Sequence, residues 1–278
     1  MGFMLGVHCS VSGGLENAFS EASTLDIDVM QIFTRNQRQW NAKPISDEEQ
    51  RIYTEAKAKS KIKTAFSHCS YLINLAAESD ETRDKSIDAL CQEVDRCTAL
   101  GLSYCVLHPG AAGTQTFDLA IERIADGLKK VLDHSNGSKV MILLENTAGQ
   151  GTSVGGPFEN LRQIHDLTQS DRIGYCFDTC HAYAAGHDIR TDEGCFNTFE
   201  SFDRILGLKN LKAFHLNDSK GELGSHLDRH EHIGKGKLGV TPFQYIMRTF
   251  QEIPKVIETE KEDDWDKVNL ELLRSLAK

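Results

Sequence analysis

Histidine and acidic residues recur at the ends of short apolar segments in this chain. Imidazole nitrogens and carboxylate oxygens are ligands for divalent metal ions, and both groups also serve as general acids and bases. One such residue at the end of a strand is more often a structural hydrogen-bond partner, but several buried together would carry repelling charges at a high desolvation cost. The pattern therefore predicts a metal centre. Its candidate ligands are His68, His108, Glu145, Asp178, His215 and Glu258.

Two further motifs add candidate ligands. In FDTCH, Asp178 and His181 are three residues apart, and on a turn that leaves a strand they would point to different ions. In DRH, Asp228 and His230 alternate, so on an extended loop both side chains would face the same side. Because more than four ligands are available, the pattern predicts more than one ion, and multinuclear sites favour phosphoester chemistry.

Four neighbouring residues are better explained by other roles. His226 and His232 lie in the same loop as the DRH motif, where hydrogen bonding within the loop is the simpler interpretation. Cys69 and Cys180 flank candidate ligands, but thiolates suit a soft structural site rather than a hydrolytic one. The remaining donor set of histidine and carboxylate favours zinc, with manganese or iron as alternatives.

The elements that must position these residues alternate along the chain. Eight short segments rich in Val, Ile, Phe and Tyr resemble buried parallel strands, and amphipathic segments separate them. Units of about 35 residues are typical of a (β/α)₈ barrel, whose active sites lie at the C-terminal ends of the strands. We therefore predict an α/β fold, a single (β/α)₈ TIM barrel domain over residues 1–278. A doubly wound open sheet is the alternative, but no GxGxxG motif follows the first strand. The predicted strands are 3–7, 29–33, 64–67, 104–107, 140–144, 173–177, 211–216 and 255–258, and the predicted helices are 14–24, 46–60, 80–100, 117–134, 157–169, 196–207, 241–250 and 264–277.

The composition excludes several classes of protein. An apolar content of 40% is too high for a disordered chain, and no segment approaches the ~18 uninterrupted apolar residues of a membrane span. The N-terminal segment MGFMLGVHCSVSGG lacks a basic region, so we expect no secretion signal and a cytoplasmic location, nucleoid-associated in a prokaryote. The eight cysteines form no CxxC pair and are expected to be reduced. A net charge of −10 argues against nucleic-acid binding unless a local positive field overrides it.

Longer motifs resemble one enzyme family along nearly the whole chain. They run in order from GVHCSVSGGLENA at 6–18, through FTRNQRQW, SHCSYLINLA, VLHPGA, LLENTAGQG and FDTCHAYAAGHD, to HLNDSKGELGSHLDRHEHIGKG and IETE. On these motifs the sequence resembles endonuclease IV, the zinc-dependent apurinic/apyrimidinic endonucleases. The resemblance implies a (β/α)₈ barrel and a base-excision-repair enzyme. Such an enzyme cleaves duplex DNA 5′ to an abasic site, leaving a 3′-hydroxyl and a 5′-deoxyribose phosphate, and removes 3′-blocking groups.

The resemblance also implies three zinc ions per chain. The residues matched by motif are His68, His108 and Glu145 for the first ion; Glu145, Asp178, His215 and Glu258 for the second; and His181, Asp228 and His230 for the third. Glu145 is the expected catalytic residue, because it would orient the attacking water or accept its proton during in-line hydrolysis. Glu260 is a rival to Glu258, since strand parity puts both on one face, but the motif match favours Glu258.

Contacts to DNA are expected around the same end of the barrel. Similarity to the family suggests that Arg38, Tyr71 and Leu72 enter the duplex near the lesion, where a nucleotide without its base is cheap to flip. Other basic residues would contact the phosphate backbone and make binding sensitive to salt. These are Arg35, Lys220, Arg229, Lys235 and Lys237. Three divalent ions would make the local field positive although the chain is acidic.

Two other functions compete with this interpretation. A xylose-isomerase-like, metal-dependent sugar isomerase or epimerase would share the barrel and a His/Glu/Asp site, but it would hold fewer ions and would not need Asp228 and His230. A lesion-binding protein without catalysis is disfavoured because all nine matched ligands are present. Metal stoichiometry and a cleavage assay distinguish the three. We expect a monomer with no membrane partner.

Overall fold

The computed structural model describes residues 3–278. Met1 and Gly2 lie outside the described residues; they belong to the N-terminal segment in which we expect no secretion signal. Eight of the strands are parallel and close into one barrel, in the order β1-β10-β7-β6-β5-β4-β3-β2. This closure confirms the predicted TIM barrel and rules out the open sheet. The strands are β1 Leu5–His8, β2 Val29–Ile32, β3 Thr64–His68, β4 Tyr104–Leu107, β5 Met141–Glu145, β6 Ile173–Asp178, β7 Leu211–His215, β8 Asp218–Ser219, β9 His230–Glu231 and β10 Lys255–Ile257.

The helices surround the barrel, and most begin and end close to the predicted residues. Ser46 and Glu49 form a capping box at the start of one helix. Gly101 ends the longest helix with φ 63°, a conformation that favours glycine. The helices are α1 Asn17–Thr24, α2 Asp47–Lys59, α3 Asp80–Leu100, α4 Phe117–His134, α5 Phe158–Thr168, α6 Thr179–Ala185, α7 Asp192–Leu206, α8 Thr241–Thr249 and α9 Trp265–Leu276.

Two segments differ from the prediction. The segment after β6 is a seven-residue helix, α6, rather than a turn, because the Asp178 side chain accepts a hydrogen bond from the His181 backbone and caps its first turn. Helix α7 begins at Asp192 instead of residue 196, since the Thr191 hydroxyl caps it through the Gly194 amide at 3.0 Å.

A separate layer of apolar side chains fills the inside of the barrel. Seven strands each contribute one residue to it, and these are Val29, Phe66, Val106, Leu143, Cys176, Ala213 and Val256. Strand β1 contributes Gly6, which pairs with Val29, and a Cβ at this position would lie 1.7 Å from the Val29 carbonyl oxygen. Because side chains alternate along a strand, the residue two positions later points into the barrel again, at its C-terminal mouth.

Among residues 3–278, no helix is both long enough and apolar enough to cross a membrane. All eight cysteines lie within these residues and are free. Burial raises the pKa of the Cys69 thiol, which lies 3.0 Å from the Cys105 sulfur. Buried thiols with raised pKa values react poorly, so the oxidative sensitivity that an exposed Cys69 would confer is not expected.

Candidate metal centre at the barrel mouth

Each barrel strand places one polar side chain at the mouth, two positions after its residue in the interior layer. We call these eight residues the mouth ring. Six of its members are the ligands predicted at strand ends, and the sequence-based prediction missed His8 and Gln31. The same two-residue step from Gly6 and Val29 would have found them. The mouth ring consists of His8, Gln31, His68, His108, Glu145, Asp178, His215 and Glu258.

Glu145 is the centre of the mouth ring. Its carboxylate is fully buried at the end of β5. One oxygen, Oε2, lies 3.3 Å from His68 Nε2 and 3.2 Å from His108 Nε2. The other oxygen, Oε1, lies 3.0 Å from His215 Nδ1 and 3.1 Å from His181 Nδ1. Both oxygens of the Glu145 carboxylate therefore lie within 3.3 Å of imidazole nitrogens.

The candidate ligands come together in three groups at the mouth. In each group, one donor atom per residue lies within 4.8 Å of the others. The first and second groups have the residues predicted for the first two ions, and the third contains Asp178 besides the two predicted histidines. Glu260 lies outside all three groups. The first group is His68, His108 and Glu145; the second is Glu145, Asp178, His215 and Glu258; the third is Asp178, His181 and His230.

Asp228 lies against the third group, as the DRH motif predicts. Its Oδ1 is 3.1 Å from His181 Nε2 and 3.4 Å from His230 Nε2. Asp178 therefore faces both the second and the third group, with its Oδ2 3.8 Å from His230 Nε2. The carboxylate of Asp218 holds this loop in place by accepting hydrogen bonds from backbone amides, including that of Leu238 at 2.9 Å.

Hydrogen bonds to backbone carbonyls determine which imidazole nitrogens face the ligand positions. His68 Nδ1 donates to the Cys69 carbonyl at 2.8 Å, and His181 Nδ1 donates to the Asn146 carbonyl at 3.0 Å. The Nε2 atoms are thus left for ligation, a common arrangement in metal sites. The Nε2 atoms of His181 and His230 are buried and make no hydrogen bond within residues 3–278. These orphaned nitrogens beside carboxylates fit zinc, which binds such donors.

The carboxylate and imidazole side chains at the mouth stabilise one another's charged forms. Burial by itself would raise the pKa of the Glu145 carboxyl, but His215 and His108 hold this pKa well below its usual range. Burial would lower the pKa of His181, but Asp178, Asp228 and Glu145 hold it well above its usual value. The pKa of Asp228 is about 2, because His181 outweighs the effect of burial. Without a cation, the protonated imidazole of His181 balances the ionised carboxylates beside it, and metal binding would release this proton.

The predicted DNA-contacting residues surround the mouth on two loops. Arg38 is exposed, Tyr71 is 64% exposed and Leu72 is half-buried. The Tyr71 ring centroid lies 5.2 Å from that of His68, which places the ring at the rim of the first group. The hydroxyl of Ser70 donates to the Gln37 carbonyl at 2.9 Å, so the two loops are held side by side.

The predicted basic residues of the loop between β7 and α8 are accessible to a phosphate backbone. Lys220 Nζ lies 3.6 Å from a Glu260 oxygen, and Lys237 Nζ lies 2.8 Å from a Glu222 oxygen. Exposed ion pairs of this kind are weak, so phosphate oxygens could replace the carboxylates. The four residues are Lys220, Arg229, Lys235 and Lys237.

The predicted phosphate contact of Arg35 is wrong. Its side chain is buried, and its guanidinium donates to the Gln39 carbonyl at 2.7 Å and to the Trp40 carbonyl. Arg35 therefore holds the loop that carries Arg38 instead of reaching the solvent. The same loop is tied to α3, because the Thr34 hydroxyl donates to the buried carboxylate of Glu93 at 2.9 Å.

The residues interpreted as non-ligands lie outside the three groups. His232 stacks on Trp265 with ring centroids 4.1 Å apart, and His226 Nδ1 donates to the Ala148 carbonyl at 2.9 Å. Cys180 is buried, and burial raises the pKa of its thiol to about 12. Packing and loop hydrogen bonds explain these residues.

Known proteins resemble this chain over almost its whole length. Residues 19–278 match the family model described as Xylose isomerase-like TIM barrel. A Chloroflexus aurantiacus protein named Probable endonuclease 4 is 46% identical over 277 residues, 98% of this chain and 97% of that protein. The crystal structure of endonuclease IV from Thermus thermophilus is similar with a TM-score of 0.88 and 33% identity, over 98% of each chain. A D-tagatose 3-epimerase-like protein has a TM-score of 0.78 but only 17% identity, over 98% of this chain and 96% of its own, which shows a shared fold alone.

Proposed function

Because this chain belongs to the endonuclease IV family, we propose that it is a three-zinc DNA-repair hydrolase. Its substrate is duplex DNA with an abasic site, which it cleaves on the 5′ side, leaving a 3′-hydroxyl and a 5′-deoxyribose phosphate. It also removes blocking groups from 3′ ends. The convergence of three ligand groups in one mouth carries this proposal, since the groups share Glu145 and Asp178. A sugar isomerase would not need the third group.

The residues of the three groups, together with Asp228, would hold the ions. Bound zinc lowers the pKa of water to about 7 and neutralises charge on phosphate oxygens. Glu145 lies between the first and second groups, where its carboxylate can orient the attacking water or accept its proton. His181 and Asp228 lie on the side of the mouth that faces the loop between β7 and α8. In this loop, the exposed side chains of Lys220 and Arg229 can position the DNA backbone.

A duplex with one abasic site tests this function. We expect the zinc-loaded protein to cut only the damaged strand and to leave a 3′ end that a DNA polymerase can extend. An undamaged duplex of the same sequence is the control and should stay intact. Absence of incision by protein that contains about three zinc ions per chain would refute the proposal. A count of one ion per chain together with sugar epimerisation would favour the rival enzyme.

Tyr71→Ala is expected to weaken binding of the abasic duplex by about 5- to 150-fold, because loss of one stacked ring costs about 1–3 kcal/mol. Zinc content should not change, since Tyr71 belongs to no ligand group. Binding is measured by fluorescence anisotropy with zinc-loaded protein, and metal content by mass spectrometry.

Two variants control for the Tyr71 result. Tyr71→Phe keeps the ring and should bind almost like the parent chain. Phe196→Ala removes another exposed ring, 57% exposed on α7, and should have no effect on binding. If Tyr71→Ala bound the abasic duplex as tightly as the parent chain, the proposed insertion would be wrong.

A further inference from the structure

Gln31 is the one amide in the mouth ring, and it contacts three other members. It is fully buried on β2. Its Oε1 lies 2.8 Å from His215 Nε2. Its Nε2 lies 2.5 Å from Glu258 Oε1 and 2.9 Å from His8 Nδ1. A single side chain thus joins the two ring members from β7 and β10 to the one from β1.

The chemistry of the partners determines how the amide is oriented. An ionised Glu258 can only accept, so the NH₂ group of Gln31 must face it. The carbonyl of Gln31 then faces His215, and His215 Nε2 must donate a proton to it. The other nitrogen, Nδ1, is left facing the ligand positions, 3.0 Å from Glu145 Oε1 and 3.1 Å from Glu258 Oε2.

This arrangement differs from that of the neighbouring histidines. His68, His181 and His230 each direct Nδ1 toward a backbone carbonyl and leave Nε2 for ligation. His215 has the opposite arrangement, and its second nitrogen faces a side chain. The orientation of His215 therefore depends on a residue that a mutation can remove, whereas the orientations of the others depend on the backbone.

His8 completes the contact from the other side. Its Nδ1 accepts from the Gln31 amide, and its ring lies 4.2 Å from the Phe33 ring. This packing limits rotation of the His8 ring. Asn217 holds Glu258 a second time: its Nδ2 donates to Glu258 Oε2 at 3.4 Å, and its Oδ1 accepts from the Glu258 backbone amide at 2.9 Å. The second group is thus positioned by two amide side chains, Gln31 on β2 and Asn217 in the loop after β7.

We propose that Gln31 is a positioning residue for the second ligand group. It holds His215 with Nδ1 directed at the metal position, and it holds Glu258 Oε1 so that Oε2 faces the same position. The inference rests on the proposed function, because it assigns Gln31 a role toward the zinc ion of that group. Gln31 is fully buried and is not placed to contact DNA.

Gln31→Met tests the inference, because methionine has a similar length and shape but none of the hydrogen bonds. We expect the zinc affinity of one of the three sites to fall by about 10- to 100-fold, as is typical when a partner of a metal ligand is lost. In competition with a chromophoric chelator, the variant should lose one ion before the parent chain does. The kcat on abasic duplex should fall by a similar factor, while KM stays unchanged.

Gln115→Met is the matched control. Gln115 is half-buried and donates to the Ala76 and Ala112 carbonyls at 2.8 and 3.1 Å, outside the three groups. The Gln115→Met variant should lose some thermal stability but no zinc affinity. The inference would fall if Gln31→Met kept the parent affinity at all three sites, or if Gln115→Met lost affinity equally. If the parent chain itself bound no zinc, the proposed function would fall as well.

A measurement on the parent chain covers the case in which Gln31→Met does not fold. In ¹⁵N spectra of the zinc-loaded protein with labelled histidine, His215 should carry its proton on Nε2 and be metal-bound through Nδ1. His68, His181 and His230 should show the reverse pattern. A His215 bound through Nε2 would overturn the inference, because Gln31 could not then hold it as described.

Discussion

A Glu145→Gln variant is expected to lose incision activity by about three orders of magnitude or more. Removing one preorganised charge-stabilising group costs about 10²- to 10³-fold in rate, and Glu145 serves two ligand groups at once. The amide of glutamine can present only one oxygen, whereas the carboxylate has histidine nitrogens within 3.3 Å of each of its two oxygens. Single-turnover cleavage of an abasic duplex measures the loss.

Glu260→Gln is the matched control for this experiment. Glu260 lies at the same mouth and is 66% exposed, with Lys220 3.6 Å away. It belongs to none of the ligand groups. The variant should cleave at nearly the parental rate, which also tests the choice of Glu258 over Glu260 as a ligand. A Glu145→Gln protein that cut within tenfold of the parent chain would contradict the role assigned to Glu145.

The metal-free protein should also respond to the Glu145 change. His181 and His215, whose pKa values lie well above the usual one, lose their central counter-charge, and breaking a buried ion pair from one side costs about 3–5 kcal/mol. The free energy of unfolding measured in urea should fall by that order in Glu145→Gln and stay nearly unchanged in Glu260→Gln. Stability and activity thus report on the same carboxylate through independent measurements.

The sequence contained enough information to predict the barrel and most of the mouth ring. Because side chains alternate along a strand, His68 and Glu145 lie at the same end of the barrel regardless of the conformation of the loops. His8 and Gln31 were missed for different reasons. The prediction ended the first strand at Val7, one residue early, and Gln31 was hidden within the apolar segment VMQIF.

The roles of loop residues were harder to predict, because they depend on tertiary contacts that have no periodic signal. Arg35 and Arg38 stand three residues apart in one motif, yet one is buried and the other exposed. Carbonyls of its own loop accept hydrogen bonds from the guanidinium of Arg35, and this could not be inferred from residue type. Likewise, the spacing of Asp178 and His181 predicts different ions, and this stays a prediction, because Asp178 belongs to both the second and the third group.

Removing the metal is the second change with a large expected effect. Prolonged dialysis against a strong chelator should reduce incision below about 1% of the parental rate, and added zinc should restore it. A ligand at about 1,000 times its Kd contributes about 4 kcal/mol to stability for each site, and each kcal/mol shifts Tm by about 2–4 °C in a chain of this class. We therefore expect Tm to fall by at least about 10 °C on metal removal, measured by calorimetry.

The third ligand group separates loss of metal from general damage by the chelator. His230→Gln removes an orphaned nitrogen from this group and should leave about two zinc ions per chain, with a smaller change in Tm on chelation than in the parent chain. His226→Gln alters a histidine of the same loop outside the groups and should keep three ions and full activity. Activity that survives complete metal removal would mean that the nine converging side chains are not a metal centre. The charge of their buried carboxylates would then be balanced by protonated imidazoles alone.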